Sequence, residues 1–413
     1  MHGRIHPNKK ERLSLCDAQN ILFSLPMRRC IETVALDQAM GRILAETVHA
    51  PEDVPPFPRA PLDGYAFLAF DSGSASEENP VTLKVIGTVA AGDGRNITVH
   101  KGEAVRIMTG APFPEQADTM LRLENTEFTE TEVKIFDPME PGINRVPAGD
   151  DVRKGNLIAS AGIRITPPLA GLLAAVNHIR IKVFQKPVVT IISTGNEIEQ
   201  PGANSLPYGK IRNSSFYTLG GYALEAGADL RFGGVVPDQT ESIAAALEKS
   251  LEVSDLLITT GGVSAGDYDM VRSAADAIGA KQLFWKVRFR PGGTLLAAEK
   301  NGKLILGLSG NPASAALGMQ LLGLPFLRKL AGLEIVLPRR IQATMLRSYE
   351  KESPYGRLIR GRLVIVDGIA CFDPLPSQGN GAVTSLLNCD LIADIPRNTA
   401  AIAKGTVVEA YWL

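Results

Sequence analysis

The chain has 413 residues, 45% of them hydrophobic and 21% charged, with a formal net charge of −1. That length exceeds what one hydrophobic core usually serves and predicts two to four domains, and the composition excludes a disordered chain, a coiled coil and a disulfide scaffold. The charge balance lacks the basic footprint that nucleic-acid binding requires, so no nucleic-acid partner is expected. Cys16, Cys30, Cys371 and Cys389 lie far apart with no Cys-x-x-Cys pair, and read as reduced, buried residues. The N-terminal MHGRIHPNKKERLSL lacks the apolar core and small-residue cleavage site of a signal peptide, and no apolar run reaches about 18 residues. A cytoplasmic protein without membrane contact is expected.

In chain order, residues 11–50 read as helical, with Leu13, Cys16, Ala18, Ile21 and Leu22 on one face and a second helical segment running from Ile31 toward Val48, interrupted at Gly41. Pro51, Pro55, Pro56, Pro58 and Pro61 then forbid helix and mark a boundary or a stiff exposed linker. Short β-like runs between Val81 and Ile135 predict a small all-β unit. Gly142, Gly149, Gly155 and Gly162 suggest hairpin turns before a buried helix over Leu169–Val176. From Val188 strands and helices alternate: strands at Val188–Ser193, Leu230–Val236 and Leu256–Thr260, helices at Ser214–Glu225, Glu241–Leu251 and from about Asp269 to Ile278. That alternation predicts a parallel sheet with helices on both faces. A further buried helix is expected at Ala313–Leu324, and after Pro338 the runs IQATML, GRLIRGRLVIV and VVEAYWL predict a separate β domain. The expected architecture is therefore multi-domain α/β plus β. Residues 11–50 and 141–180 form a helical and hairpin connecting domain, with part of the N-terminal helix packing on the α/β domain; 51–140 form a small β domain, 181–332 the α/β domain and 333–413 the C-terminal β domain.

Within the α/β part, Leu256–Asp269 runs from an apolar strand into Gly261-Gly262, then small residues, then Asp267 and Asp269. Paired glycines let backbone N–H groups turn toward a ligand, and the following helix brings its positive end, so the segment reads as a phosphate cradle. The two acids either hold Mg2+ against that phosphate or cap the helix. Ligands of open α/β sheets bind outside the carboxyl ends of the strands, which gathers Glu197, Asp238 and the Asp267/Asp269 pair into one place. Asp238 also opens a capping-box pattern with Glu241, a structural alternative. The loop Gly307 to Pro312, before the helix from Ala313, offers another set of free N–H groups.

Several ordered segments then resemble the molybdopterin molybdenumtransferase family, which includes the carboxy-terminal domain of gephyrin. They are Asp63-Gly64-Tyr65-Ala66, Arg106 to Ala111, Ser193 to Glu197, the GGVSAGDYD stretch, Phe284-Trp285-Lys286 and Gly310-Asn311-Pro312, in order over essentially the whole chain. The resemblance implies an α/β domain of molybdopterin-binding type and an enzyme that takes adenylylated molybdopterin, accepts molybdate at the dithiolene sulfurs and releases AMP with Mg2+ present. It implies an elongated homodimer whose cleft is shared between the α/β domain of one subunit and the small β domain of the other, and contact with molybdopterin adenylyltransferase and molybdoenzyme maturation partners. By position, Glu197, Asp238 and Asp269 match the family's acidic residues, with Asp238 and Asp269 the best Mg2+ ligands. Asp63 and Thr109 match the contribution across the dimer. Gly261, Gly262 and Ser264 match the pterin and phosphate cradle, joined by Gly310, Asn311, Pro312 and Ser314, and Lys286 and Arg290 match basic residues suited to molybdate.

The chain departs from the family pattern in the loop Arg290-Pro291-Gly292-Gly293-Thr294, where the second of two lysines is Gly293, and at Ser309, where the family has proline. Losing one charge-assisted bond to an oxyanion is commonly worth about 1.5 to 3 kcal/mol, so a degenerate paralogue that binds pterin or acts as a scaffold stays open, as does a molybdopterin adenylyltransferase. Arg357, Arg360, Arg362, Ser377 and Ser385 lie in the C-terminal domain. They could reach a dianion, although solvated strand arginines and turn serines are commoner.

Overall fold

The structure, a computed structural model, describes residues 12–413 apart from Arg28, Ala203, 264–269 and Ser353. Helix α1 (Leu15–Phe23) starts at Ser14, whose Oγ accepts the Asp17 N–H at 3.0 Å. Its Ala18 and Leu22 are buried in the core of the later α/β sheet. Strands β1 (Ile31–Ala35) and β2 (Val48–His49) follow. The small β unit comprises β3 (Gly64–Phe67), β4 (Val81–Val89), β5 (Glu103–Ile107), β6 (Thr119–Arg122), β7 (Glu127–Phe128) and β8 (Glu132–Ile135), in sheet order β6-β3-β5-β4-β8-β7. Then come β9 (Leu157–Ala159), α2 (Pro167–Ala175) and β10 (Arg180–Phe184). Antiparallel pairs β1 with β10 and β2 with β9 tie the two arms of the connecting unit together.

These pairs correct the expected second helix over Ile31–Val48. Ile31, Thr33 and Val34 are β-branched, and their strand lies against Phe184, Lys182 and Ile181 across the ladder. Cross-strand packing overrides the helical spacing there, leaving only the short 3-10 turn Leu36–Gln38.

The α/β unit contains β11 (Val188–Thr194), β12 (Ile198–Glu199), β13 (Ile211–Arg212), α3 (Ser215–Glu225), β14 (Asp229–Val236), α4 (Thr240–Val253), β15 (Leu256–Thr260), α5 (Met270–Ala277), β16 (Lys281–Trp285), β17 (Leu296–Lys300), β18 (Lys303–Leu308), α6 (Pro312–Gly318) and α7 (Leu324–Leu330). A π turn at Met319–Gly323 joins the last two helices. The six main strands lie in the order β14-β11-β15-β18-β17-β16. Four are mutually parallel, but β17 and β16 run antiparallel, so the sheet is mixed where a parallel one was expected. The cause is local: Asn301 and Gly302 both have positive φ, the conformation of a two-residue hairpin turn. Successive residues of β11 face opposite layers: Val189 and Ile191 pack with α1, α3, α6 and α7, and Ile192 packs with α4 and α5.

The C-terminal unit is a closed barrel of β19 (Arg339–Met345), β20 (Arg357–Val366), β21 (Ile369–Pro374), β22 (Leu391–Ile395) and β23 (Val407–Trp412), in the order β19-β21-β20-β22-β23. Two backbone contacts seat it on the α/β unit. Leu358 N–H donates to the Arg290 carbonyl at 2.8 Å, and the Ala313 and Ser314 N–H groups donate to the Asn380 carbonyl at 3.0 and 3.3 Å. The architecture is multi-domain α/β plus β. Among the described residues, no helix is long and apolar enough to cross a membrane. The cysteines are all free, yet Cys16 and Cys30 are exposed, against expectation. Cys389 is shielded, and burial pushes its thiol up to about 11.

Candidate functional site at the carboxyl edge of the α/β sheet

β11, β14, β15 and β18 deliver their loops to one edge of the sheet. At the end of β15, Gly261 and Gly262 have φ of +93° and +64°, and a Cβ on Gly261 would lie 2.4 Å from the Thr194 carbonyl oxygen. Only glycine fits this approach of backbone to backbone. The loop after β18 closes on the same point, since a Cβ on Gly310 would meet the Gly261 Cα at 3.3 Å. Ser264, Asp267 and Asp269 lie outside the described residues.

Buried polar bonds hold these ends in register. Thr194 Oγ1 donates to the Thr260 carbonyl at 3.2 Å, and Thr260 Oγ1 donates to Ser193 Oγ at 3.3 Å. Ser193 is paired with Asn213, whose Oδ1 also accepts the Phe216 N–H at the start of α3. Sequence reasoning missed Asn213; its signal was an asparagine just ahead of a helix start.

Asp238 does not cap α4. The helix starts after Gln239 without a side-chain cap, and Asp238 turns instead to the end of β11. Its Oδ2 accepts the Asn196 N–H, and its own N–H donates to Asn196 Oδ1, both at 3.3 Å. That pairing replaces the capping box. Glu197 is exposed and bends back over Gly195, where a Cβ would lie 2.7 Å from its Oε2. Thus two carboxylates stand at adjacent strand ends. Among the described residues, no three His, Cys, Asp or Glu side chains cluster as a metal site. Mg2+ nevertheless fits such a donor set, because it takes one or two carboxylates and completes its shell with phosphate oxygens and water.

The loop before α6 differs from expectation. The Ala313 and Ser314 N–H groups are taken by the Asn380 carbonyl of the barrel, and the Asn311 N–H by Ser309 Oγ at 3.2 Å. Pro312 occupies the first helical position and Ser314 is buried. This helix start is therefore a docking point for the barrel, with none of these three N–H groups free.

Beside it runs the loop from β16 to β17. Lys286 has the left-handed φ of +71°, and its Nζ lies 3.5 Å from the centre of the Trp285 ring. Arg290 stacks on Tyr355 at 3.6 Å. Gly293 is enclosed by its own loop: a Cβ there would lie 2.2 Å from the Phe289 carbonyl oxygen and 2.4 Å from that of Val287. Between this loop and the barrel is a cavity of about 410 Å3 lined by Arg12, Arg290, Lys351, Arg357, Tyr349 and Asn380, among others. Arg360 is fully buried near it, its Nη2 donating to the Gly379 carbonyl at 3.1 Å, and burial lowers its pKa. The remaining barrel residues point elsewhere. Arg362 pairs with Asp373 at 3.6 Å, Ser377 is exposed and Ser385 closes a turn on the Ala382 carbonyl at 2.5 Å.

Asp63 and Thr109 meet in the small β unit. Both the hydroxyl and the N–H of Thr109 donate to Asp63 Oδ1 at 2.7 Å, which holds the carboxyl below its usual range. Their sheet is separate from the α/β sheet.

Comparison with known proteins covers each part of this arrangement. Residues 13–177 match the MoeA N-terminal region (domain I and II), 190–329 a probable molybdopterin binding domain, and 342–413 the MoeA C-terminal region (domain IV). The chain is 35% identical over 382 residues to a molybdopterin molybdenumtransferase of Bacillus subtilis, covering 92% of this chain and 89% of that one. It is 34% identical over 376 residues to one of Staphylococcus epidermidis, covering 91% and 90%. A solved molybdopterin biosynthesis MoeA protein of Pyrococcus horikoshii superposes with a TM-score of 0.83 at 34% identity, covering 97% of this chain and 99% of that one. With family models spanning its N-terminal, α/β and barrel parts, the chain belongs to the molybdopterin molybdenumtransferase family.

Proposed function

We propose that this protein is the transferase that inserts molybdate into adenylylated molybdopterin and releases AMP in a Mg2+-dependent step of molybdenum cofactor biosynthesis. The observation that carries this reading is the meeting of the Gly261-Gly262 turn, where no Cβ fits, with Asp238 at the neighbouring strand end. The nucleotide's phosphates lie against that turn. Asp238 and Glu197 would hold Mg2+, joined by Asp269 on its sequence position. Bound there, Mg2+ neutralises charge on the phosphates and on the departing AMP. Molybdate, a dianion, needs cationic donors, and Lys286 and Arg290 on the adjoining loop supply them. Trp285 under the Lys286 ammonium keeps that flexible side chain from collapsing toward the carboxylates.

The working unit is a homodimer in the cytoplasm, with Asp63 and Thr109 of one subunit completing the cleft of the other. Adenylylated molybdopterin arrives from the adenylyltransferase, and the product passes to molybdoenzyme maturation partners. A scaffold role draws its support from Gly293 and Ser309. The enclosure of Gly293 by backbone weakens that support, because a lysine there would not fit this loop, whatever the protein's activity.

The test is AMP release from adenylylated molybdopterin by the purified protein, with and without Mg2+ and molybdate. Release should require Mg2+ and rise with molybdate. Release indifferent to saturating molybdate would overturn the reading, and ATP-dependent adenylylation of free molybdopterin would replace it with the adenylyltransferase.

A further inference from the structure

Arg357 is the first residue of β20 and only 7% exposed. Its Nη1 donates to the Lys351 carbonyl and its guanidinium carbon lies 5.2 Å from the centre of the Tyr349 ring. Nε and Nη2 have no hydrogen-bond partner among the described residues. These two nitrogens form one edge of the planar fork, the edge that grips two oxygens of an oxyanion side by side. The cavity lined by Arg357 carries three more cations, Arg12, Arg290 and Lys351, and no carboxylate lines it. A buried guanidinium with unmet donors and no acid beside it costs stability unless an anion meets it.

The backbone places this edge next to the altered loop. Arg290 and Arg357 form a parallel bridge, secured by the Leu358 N–H on the Arg290 carbonyl. Gly293, where the family pattern has its second lysine, lies in the same cavity wall but is closed to any side chain. We infer that Arg357 is a substrate-binding residue that grips the tetrahedral dianion through Nε and Nη2, so that the barrel supplies the cation the 289–294 loop has lost. The inference rests on the proposed reading of this cleft as the molybdate site.

It is tested by titrating sodium molybdate into the full-length protein by calorimetry, and by following thermal unfolding with and without molybdate. The variants are Arg357→Gln, Arg357→Lys and, as a control away from the cavity, Arg362→Gln. Arg357→Gln should weaken molybdate binding at least about ten-fold, a loss of about 1.4 kcal/mol. Without the anion it should unfold no earlier than wild type, and it should lose the molybdate-induced rise in midpoint. Arg357→Lys should keep part of the affinity, and Arg362→Gln all of it. In turnover the KM for molybdate should rise more than kcat falls. Wild-type affinity in Arg357→Gln would overturn this inference alone. Earlier unfolding of both Arg357 variants without molybdate would make the arginine structural and also overturn it. A wild-type protein that binds no molybdate would overturn the functional reading beneath it as well.

Discussion

Position 293 shows how a missing charge is misread when only the residue type is visible. From the sequence, glycine there looks like a lost ligand; in the fold it is a residue walled in by the Phe289 and Val287 carbonyls. Gly293→Lys should therefore destabilise the protein by at least about 1–3 kcal/mol, the usual cost of overpacking, without tightening molybdate binding. Thermal unfolding and calorimetry check this, and a variant as stable as wild type with higher affinity would contradict it. Asp63 shows the opposite case, a role invisible in the sequence except by resemblance. Thr109 lowers its pKa through two hydrogen bonds, so the carboxylate stays ionised at neutral pH. The stabilisation from this pair is present above the ordinary carboxylate range and fades as pH falls through the lowered value. Asp238 could be read two ways because Asp, Thr and Glu at those spacings suit a helix cap as well as a metal; only the bond to Asn196 decides. Arg357 was legible merely as a strand arginine, since burial and unmet donors are properties of the fold.

Among the elements, the alternation from Val188 onward was readable because continuous apolar strands and amphipathic helices carry different periods. Strand β1 and the β17–β18 hairpin were not. The first depends on pairing with β10, 149 positions away at Ile31 and Arg180, and the second on a two-residue turn, Asn301-Gly302, embedded in a run that otherwise continues the α/β rhythm. The paired ends of β11 and β14 carry a metal prediction. Asn196→Asp sets a carboxylate beside Asp238 in place of an amide that bonds to it. Without Mg2+ the like charges should lower the unfolding midpoint, and added Mg2+ should raise it more than in wild type. Midpoints measured across a Mg2+ series decide this, and equal Mg2+ responses in the two proteins would argue against a metal at these strand ends.

At the scale of the whole molecule, the small β sheet and the α/β sheet are separate structures in one chain, and the proposed cleft needs residues from both. If the cleft is shared between subunits, Asp63→Ala and Asp238→Ala should each be inactive alone. After subunit exchange at equal amounts, activity should return to about a quarter of wild type, because each mixed dimer contains one intact cleft. AMP release after mixing, with sedimentation to confirm mixed dimers, checks it; mixed dimers without activity would exclude the shared arrangement. The domain plan was legible from proline and glycine punctuation, but the way the parts lean on one another was not, because such contacts join residues remote in sequence.

The Asn380 carbonyl over the first turn of α6 has a consequence for dissecting this protein. That carbonyl ends an interior helix of the sheet unit although it belongs to the barrel. Cutting the chain before Arg339 would leave the two backbone donors of Ala313 and Ser314 without their acceptor in a nearly water-free layer, and the fragment would begin life with a frayed helix beside its own ligand loop. The barrel is thus a keystone of the sheet unit, and the natural unit for expression, engineering or evolutionary shuffling is the two together.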